Sequence, residues 1–305
     1  KQIAYEKMSS ENISFDNYLS IQYANISCYA ILGVFGFFLN LVLIYLLYKS
    51  KQRKLNDLFL AIMSIVGLLF SLLNLSIFLT NLIYVLDKQF KLALNWNWKC
   101  RLIIFFEYYL LSLNMHVFMW IAINRYFLIV KRNIQMMYFE RKGFYLIILI
   151  GFPISAVGFT SLSYFFPGVS SDYMVTVLVC YLKNIPLLVT IYSVLAPLTC
   201  MLIFYTIILA YFFLHRKKIQ VNFNENNHGS IFSSDSLKLV RSMMVMIFVY
   251  MLCYIPYFVS EITKNYDATL LFLAKLTSHS TTLTDPLIYI IGNRKYRNLL
   301  ITVFR

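Results

Sequence analysis

Charge is scarce in this chain. Of 305 residues only 13% are Asp, Glu, Lys or Arg, against 60% hydrophobic, and the mean hydropathy is +0.69. A soluble domain carries about 25% charged residues. There are too few here to clothe a water-facing surface, so lipid must be the solvent for much of it. Histidine is limited to His116, His215, His228 and His279, with no HExxH or triad spacing. That removes the sequence grounds for a metalloprotease or a nucleophilic hydrolase, and no enzyme activity is expected. His116, on an apolar helix, is read as a packed histidine. Cys28, Cys100, Cys180, Cys200 and Cys253 form no CxxC and no Cys/His metal spacing, so no metal site is expected, and no cofactor. No repeat of 20–50 residues is evident, and an odd number of spans without inverted halves argues against a transporter. Pore-lining charges are missing too, which argues against a channel. With no starting Met and no apolar core before residue 24, no cleavable signal peptide is expected.

What the chain does have is apolar length. Runs at 24–48, 57–86, 101–130, 144–166, 186–214, 239–263 and 268–291 each approach or exceed the roughly 20 residues a spanning helix needs. The expected fold is an all-α membrane protein, a seven-transmembrane helix bundle. Residues 1–22 are read as an extracellular tail, 23–292 as the bundle, and 293–305 as a short amphipathic eighth helix in the cytosol. In that last segment Tyr296, Leu299, Leu300, Val303 and Phe304 share one face, with Arg294, Lys295 and Arg297 opposite, the pattern of an interfacial helix. The stretch 216–237, rich in Asn and Ser, reads as a flexible loop. Alternation of Tyr173, Val175, Val177 and Val179 with Met174, Thr176 and Leu178 predicts a β-hairpin-like outer loop.

Basic residues set the orientation. Lys49, Lys51, Arg53 and Lys54, then Lys131, Arg132, Arg141 and Lys142, then Arg216, Lys217 and Lys218, then Arg294, Lys295, Arg297 and Arg305, cluster at alternate ends of the runs. The positive-inside rule then places the N-terminus outside and the C-terminus in the cytosol of a plasma-membrane, multi-pass protein. The net charge of +14 fits contact with anionic inner-leaflet lipid. No nucleic-acid partner is expected, because the basic residues flank apolar helices and form no single stripe. Asn12 and Asn25 head the sequons Asn12-Ile13-Ser14 and Asn25-Ile26-Ser27 and are candidate glycosylation sites. Asn74-Leu75-Ser76 falls within the second run and is read as chance. Cys100 and Cys180 both lie on the outer side, where a bridge is permitted, whereas Cys200 and Cys253 read as small buried apolar residues.

Several motifs follow one another along these runs. They are Asn40, Cys100, Asn124-Arg125-Tyr126, Cys180, Pro197 with Tyr205, Cys253-Tyr254-Ile255-Pro256, Asp285-Pro286-Leu287-Ile288-Tyr289 and Tyr296-Arg297. In order and spacing the chain resembles the rhodopsin-like (class A) G-protein-coupled receptors, as a divergent member. The resemblance implies a Cys100–Cys180 disulfide. It implies a switch built from Asn124, Arg125, Tyr126, Tyr205, Pro256, Asp285, Pro286 and Tyr289. Its partners would be an extracellular ligand, a heterotrimeric G protein and the lipid bilayer. Pro197 and Pro256 each delete a backbone hydrogen bond and kink their helices. An ionisable residue such as Arg125 in a span is costly and marks function.

The departures from the family pattern are informative. Asn124 replaces the acid that precedes the arginine, and Ser236 stands where a sixth-helix acid often does, with Asp235 just before it. Arg125 is thus expected to lack its ionic restraints, raising basal signalling. The second-helix aspartate falls at Val66 or Gly67, and the fourth helix lacks its usual Trp. Asp285, with Asn114 and Asn40 expected to hydrogen-bond near it, is a single carboxylate and so a weak hard-cation site. Strong sodium regulation is not expected, and Asp285 is read as a polar link between helices with a switching role. In light receptors of this family the retinal lysine stands seven residues before the seventh-helix proline. That position is His279, with Lys275 one turn earlier, so a light receptor is not expected.

The expected ligand pocket gathers Glu107, Tyr108, Leu111, Tyr192, Ser193, Tyr254, Tyr257, Phe258, Glu261, Lys275 and His279, a few polar groups on aromatic walls. Lys275 and His279, four apart, share a face. Glu107 either binds a ligand ammonium or forms an internal ion pair with Lys275 or His279. Mixed charge and the hairpin lid favour a peptide ligand, with a small amine or other small molecule as the alternative.

Overall fold

The computed structural model describes residues 15–50, 55–86, 96–131, 151, 161, 170–174, 178–183, 195–225, 234–263 and 267–303. Its helices are α1 (Phe15–Lys49), α2 (Leu55–Leu86), α3 (Trp96–Ile129), α4 (Ala196–Glu225), α5 (Ser234–Thr263), α6 (Ala268–Gly292) and α7 (Arg294–Val303). The first six correspond to the first, second, third, fifth, sixth and seventh apolar runs. The fourth run lies outside the described residues except for Gly151 and Ser161, both helical.

Helices form here because a bilayer leaves a spanning segment no other way to satisfy its backbone. By length and composition Ser20–Lys49, Asp57–Leu86, Lys99–Ile129 and Ala196–Leu214 can each cross a membrane. Large apolar side chains remain exposed along them, including Phe35, Phe38, Leu79 and Ile203. Such a surface suits lipid and would be a liability in water.

Within the bundle α1 packs on α2 and α6, α2 on α3, α3 on α4, and α5 on α6. Small residues set the closest approaches. A Cβ added at Gly36 would come within 2.6 Å of Ser71 Oγ and 3.1 Å of Thr282 Oγ1. At Gly67 it would come within 2.5 Å of Asn40 Oδ1. Asp267 caps α6 by accepting hydrogen bonds from the Thr269 and Leu270 amides at 3.0 and 3.4 Å, which satisfies donors that a helix start leaves open.

The expected hairpin is present. Strands β1 (Ser170–Met174) and β2 (Val179–Lys183) pair antiparallel with Tyr173 opposite Cys180. A disulfide joins Cys180 to Cys100 in the first turns of α3, Cα to Cα 5.4 Å. It thereby fastens the hairpin to that end of the bundle. Just before β2, Leu178 adopts a φ of 51°, a region that bulky residues seldom enter. It is held there from both sides. Its side chain is 1% exposed and packs with Ile26 of α1 and Val85 of α2, and its carbonyl accepts a hydrogen bond from Asn81 Nδ2 at 3.1 Å.

Three sequence expectations need correction. The tail assigned to 1–22 becomes helix from Phe15, because polar residues can prolong a spanning helix beyond the apolar layer. Asn25 therefore lies in α1, not in a tail, and is 2% exposed, which leaves no room for a glycan. The stretch 216–237 is helical up to Glu225 and again from Ser234. Its basic and apolar residues after Arg216 are adequate helix formers and contain no Gly or Pro before Gly229. α6 ends at Gly292.

Candidate functional site

Three buried polar clusters succeed one another from the disulfide end of the bundle to the Arg125 end. The first lies beneath the hairpin. Lys275 Nζ donates to Glu107 Oε1 at 2.5 Å, and His279 Nε2 donates to the same oxygen at 3.1 Å. Nδ1 of His279 meets the side-chain amide of Asn74. The rings of Tyr29 and Phe70 stand edge-on to the imidazole, 5.3 and 4.9 Å between centroids. All three titratable groups are buried. A charge this far from water must be compensated, and here Glu107 and Lys275 compensate each other across α3 and α6. Of the two roles weighed for Glu107, the geometry takes the internal pair. A small cavity opens beside it, lined by Tyr29, Ile77, Asn81, Glu107, Leu178 and Lys275 among others.

The other expected pocket residues divide. Tyr108, Leu111 and Tyr254 are buried. Tyr257, Phe258 and Glu261 lie on α5, with side chains outside the described residues. Ser193 and Tyr192 lie outside them altogether, as does Asn12.

The second cluster sits between α3, α5 and α6. Tyr250 donates its hydroxyl hydrogen to Asp285 Oδ2 at 3.0 Å. Asn114 Nδ2 donates to the same oxygen at 3.3 Å and also to the Tyr250 hydroxyl. The Tyr250 ring is packed by Phe118 at 4.6 Å and Tyr254 at 5.4 Å. Asn114 was expected beside Asp285, and Asn40 was too. Asn40 instead donates to the carbonyls of Gly36 at 2.8 Å and Thr282 at 3.1 Å, linking the first and seventh spans. Its side chain fills the space that Gly67 leaves open. The second-helix acid of the family therefore has no counterpart there, and Val66 is a buried apolar residue.

The third cluster surrounds Arg125. The guanidinium is 5% exposed, among Tyr205, Tyr289 and Tyr296, each 3% exposed or less. The adjoining Asn124 is 1% exposed. Tyr126 packs on Phe204 of α4 at 5.1 Å, which ties the third span to the fifth. Pro256 and Pro286 lie inside α5 and α6. Tyr296, on α7, donates its hydroxyl hydrogen to Asp57 Oδ1 at 2.8 Å. Burial, with the Asp57 carboxylate beside it, pushes this phenol up, so it keeps the proton it donates.

Sequence reasoning missed Tyr250, Asn74 and Asp57. Tyr250 carries no motif of its own, and Asn74 was set aside with its sequon. It is fully buried and serves His279. Asp57 had one signal, an acid opening a span just after the basic run of Lys51, Arg53 and Lys54. His116 is the packed histidine expected, its Nδ1 donating to the Ser112 carbonyl at 2.7 Å.

A helical membrane bundle with a disulfide-anchored hairpin at one end and a buried arginine at the other defines a class, the heptahelical receptors. Residues 39–289 match the 7 transmembrane receptor (rhodopsin family) profile, and the chain belongs to that family. The adenosine receptor A3 of Ovis aries is 22% identical over 116 residues, covering 37% of this chain and 36% of that receptor, so well under half of that receptor's length is matched. The crystal structure of squid rhodopsin, 16% identical, superposes with a TM-score of 0.72 over 96% of this chain and 82% of that one. At that identity the likeness concerns the fold. The protein is a multi-pass plasma-membrane receptor and not an enzyme.

Proposed function

We propose that this receptor faces outward with its N-terminus and its disulfide-bonded hairpin, binds an extracellular peptide there, and activates a heterotrimeric G protein through the mouth around Arg125. The observation that carries the reading is the Glu107–Lys275 pair, buried under the hairpin at 2.5 Å. An amine ligand would have to take Glu107 from Lys275 and leave a buried ammonium without its partner, which costs several kcal/mol. A peptide meets the site differently. It reaches the hairpin and the rim first, and gains backbone and side-chain contacts over a large surface before the ion pair is disturbed. The positive-inside pattern supports the orientation, with Asn12 as the remaining glycosylation candidate. A small amine stays the alternative.

The test is nucleotide exchange on G proteins co-reconstituted with the purified receptor, with pooled secreted peptides in one arm and pooled biogenic amines in the other. Exchange stimulated by peptide is the expected result. Stimulation by amines alone, abolished in Glu107→Gln, would contradict the peptide reading.

A further inference from the structure

The ion pair under the hairpin is not saturated. Both donors to Glu107 converge on one oxygen, Oε1, with Lys275 Nζ at 2.5 Å and His279 Nε2 at 3.1 Å. Among the described residues Oε2 receives no hydrogen bond, and the Glu107 side chain keeps 8% of its surface exposed. An ammonium carries three N–H donors, and Lys275 uses one of them on Oε1. Both residues belong to the wall of the same small cavity. The rest of that wall is largely apolar, with Tyr29, Ile77, Ile103 and Leu178, and apolar surroundings strengthen a charge contact. The cavity therefore offers an open acceptor on an anion beside open donors on a cation.

We infer that this site takes a ligand terminus carrying an ammonium and a carboxylate within one residue, and that it does so with the Glu107–Lys275 pair intact. The ligand ammonium donates to Glu107 Oε2, and the ligand carboxylate accepts from Lys275 Nζ. The four charges then alternate in sign around a ring, each flanked by its opposites. The claim rests on reading the hairpin end of the bundle as the ligand site, and it names the chemistry that the site selects. A lone ammonium or a lone carboxylate adds one uncompensated charge to a neutral buried pair, which is costly. A terminus with both charges leaves the site neutral and forms two charge-assisted hydrogen bonds. Leu178 roofs the cavity, its carbonyl held by Asn81 Nδ2 at 3.1 Å and its side chain packed with Ile26 and Val85. Entry displaces that roof, and the small space beneath it receives the end of a ligand, not its body. Three sources share the required chemistry: a peptide ending in lysine, a peptide beginning with glutamate, and a free α-amino acid.

The test measures binding to purified receptor in lipid nanodiscs, without a G protein. Affinity selection with mass spectrometry compares pools of short peptides whose interiors are randomised over uncharged residues. One pool is N-acetylated and ends in lysine with a free carboxylate. Its two controls are the C-terminal amide and a norleucine ending, each lacking one charge. A second pool begins with glutamate and a free α-amine and is amidated at its other end. Its controls are the N-acetyl form and a glutamine start. One of the doubly charged pools is expected to be retained about tenfold or more above both its controls, since each control lacks one charge-assisted bond. Which pool it is identifies the end that enters. Glu107→Gln with Lys275→Met removes both charges and is expected to abolish the preference. The exchange of Glu107→Lys with Lys275→Glu keeps an ion pair and is expected to preserve it. Melting temperatures show which variants are folded, and the wild-type comparison stands without either. Equal retention of the charged pools and their controls, or a preference that survives in the neutral double variant, overturns the inference and leaves the peptide reading standing. If no peptide pool is retained, but saturation-transfer NMR detects free norleucine and neither its amide nor its N-acetyl form, the charge selection stands and the peptide reading falls. If nothing with both charges binds, both fall.

Discussion

Glu107 shows how far single residues can be read. An acid in an otherwise apolar helix, and a lysine and histidine four apart on another, were enough to place all three in one pocket and to offer an ion pair as one role. The sequence could not choose between that pair and a ligand contact, because the choice depends on whether Nζ reaches Oε1, a matter of helix rotation. The distance of 2.5 Å settles the resting arrangement. The pair then makes a quantitative prediction. Glu107→Gln leaves Lys275 buried without its carboxylate and should cost about 3–5 kcal/mol, whereas Lys275→Met leaves Glu107 its His279 contact at 3.1 Å and should cost less. The double variant, with both charges gone, should recover most of that. Thermal unfolding in detergent gives the double-mutant cycle, and purely additive losses would mean that the two side chains do not interact. Asp57 and Tyr250 are the opposite case. Each became legible only once another helix supplied its partner, Tyr296 for one and Asp285 with Asn114 for the other.

Among the elements, hydrophobic length was the reliable guide. The second run, expected at 57–86, forms α2 over Leu55–Leu86, and the seventh, expected at 268–291, forms α6 over Ala268–Gly292. Polar ends were less legible. α1 starts at Phe15 and α4 runs on to Glu225, since a helix already nucleated in the membrane adds a hydrogen bond for every further residue, whatever its polarity. Contacts between elements left almost no trace in the sequence. Gly67 reads as one small residue among many, yet it is where α2 admits the side chain of Asn40, itself tied to Gly36 and Thr282. Because that amide is hydrogen-bonded on both sides, it cannot swing away freely. Gly67→Ala should therefore destabilise the bundle by about 1–3 kcal/mol through overpacking, and Asn40→Ser in the same chain should relieve part of it. Melting curves of the single and double variants decide this. A Gly67→Ala protein as stable as the wild type would mean that the first two spans do not approach this closely.

At the scale of the whole molecule the three clusters form a column. An ion pair lies under the hairpin, a carboxylate bonded to a tyrosine and an asparagine lies midway, and a guanidinium among tyrosines lies at the far mouth. The spans α3 and α6 contribute to the first two, and Arg125 and Tyr289 carry the same two helices into the third. A disturbance that parts Glu107 from Lys275 therefore acts on the very helices that hold Arg125. Membership of the rhodopsin family agrees with that reading, while Asn124 and the pair Val66-Gly67 stand where the family resemblance implies acids. The most direct measurement is ligand-free guanine-nucleotide exchange on a panel of heterotrimeric G proteins in proteoliposomes, comparing wild-type receptor with Arg125→Leu. The account predicts that the wild type accelerates exchange on at least one G protein and that Arg125→Leu lowers that rate by about tenfold or more, a loss of about 1.4 kcal/mol or greater. Equal rates from the two receptors, or no acceleration on any member of the panel, would contradict it.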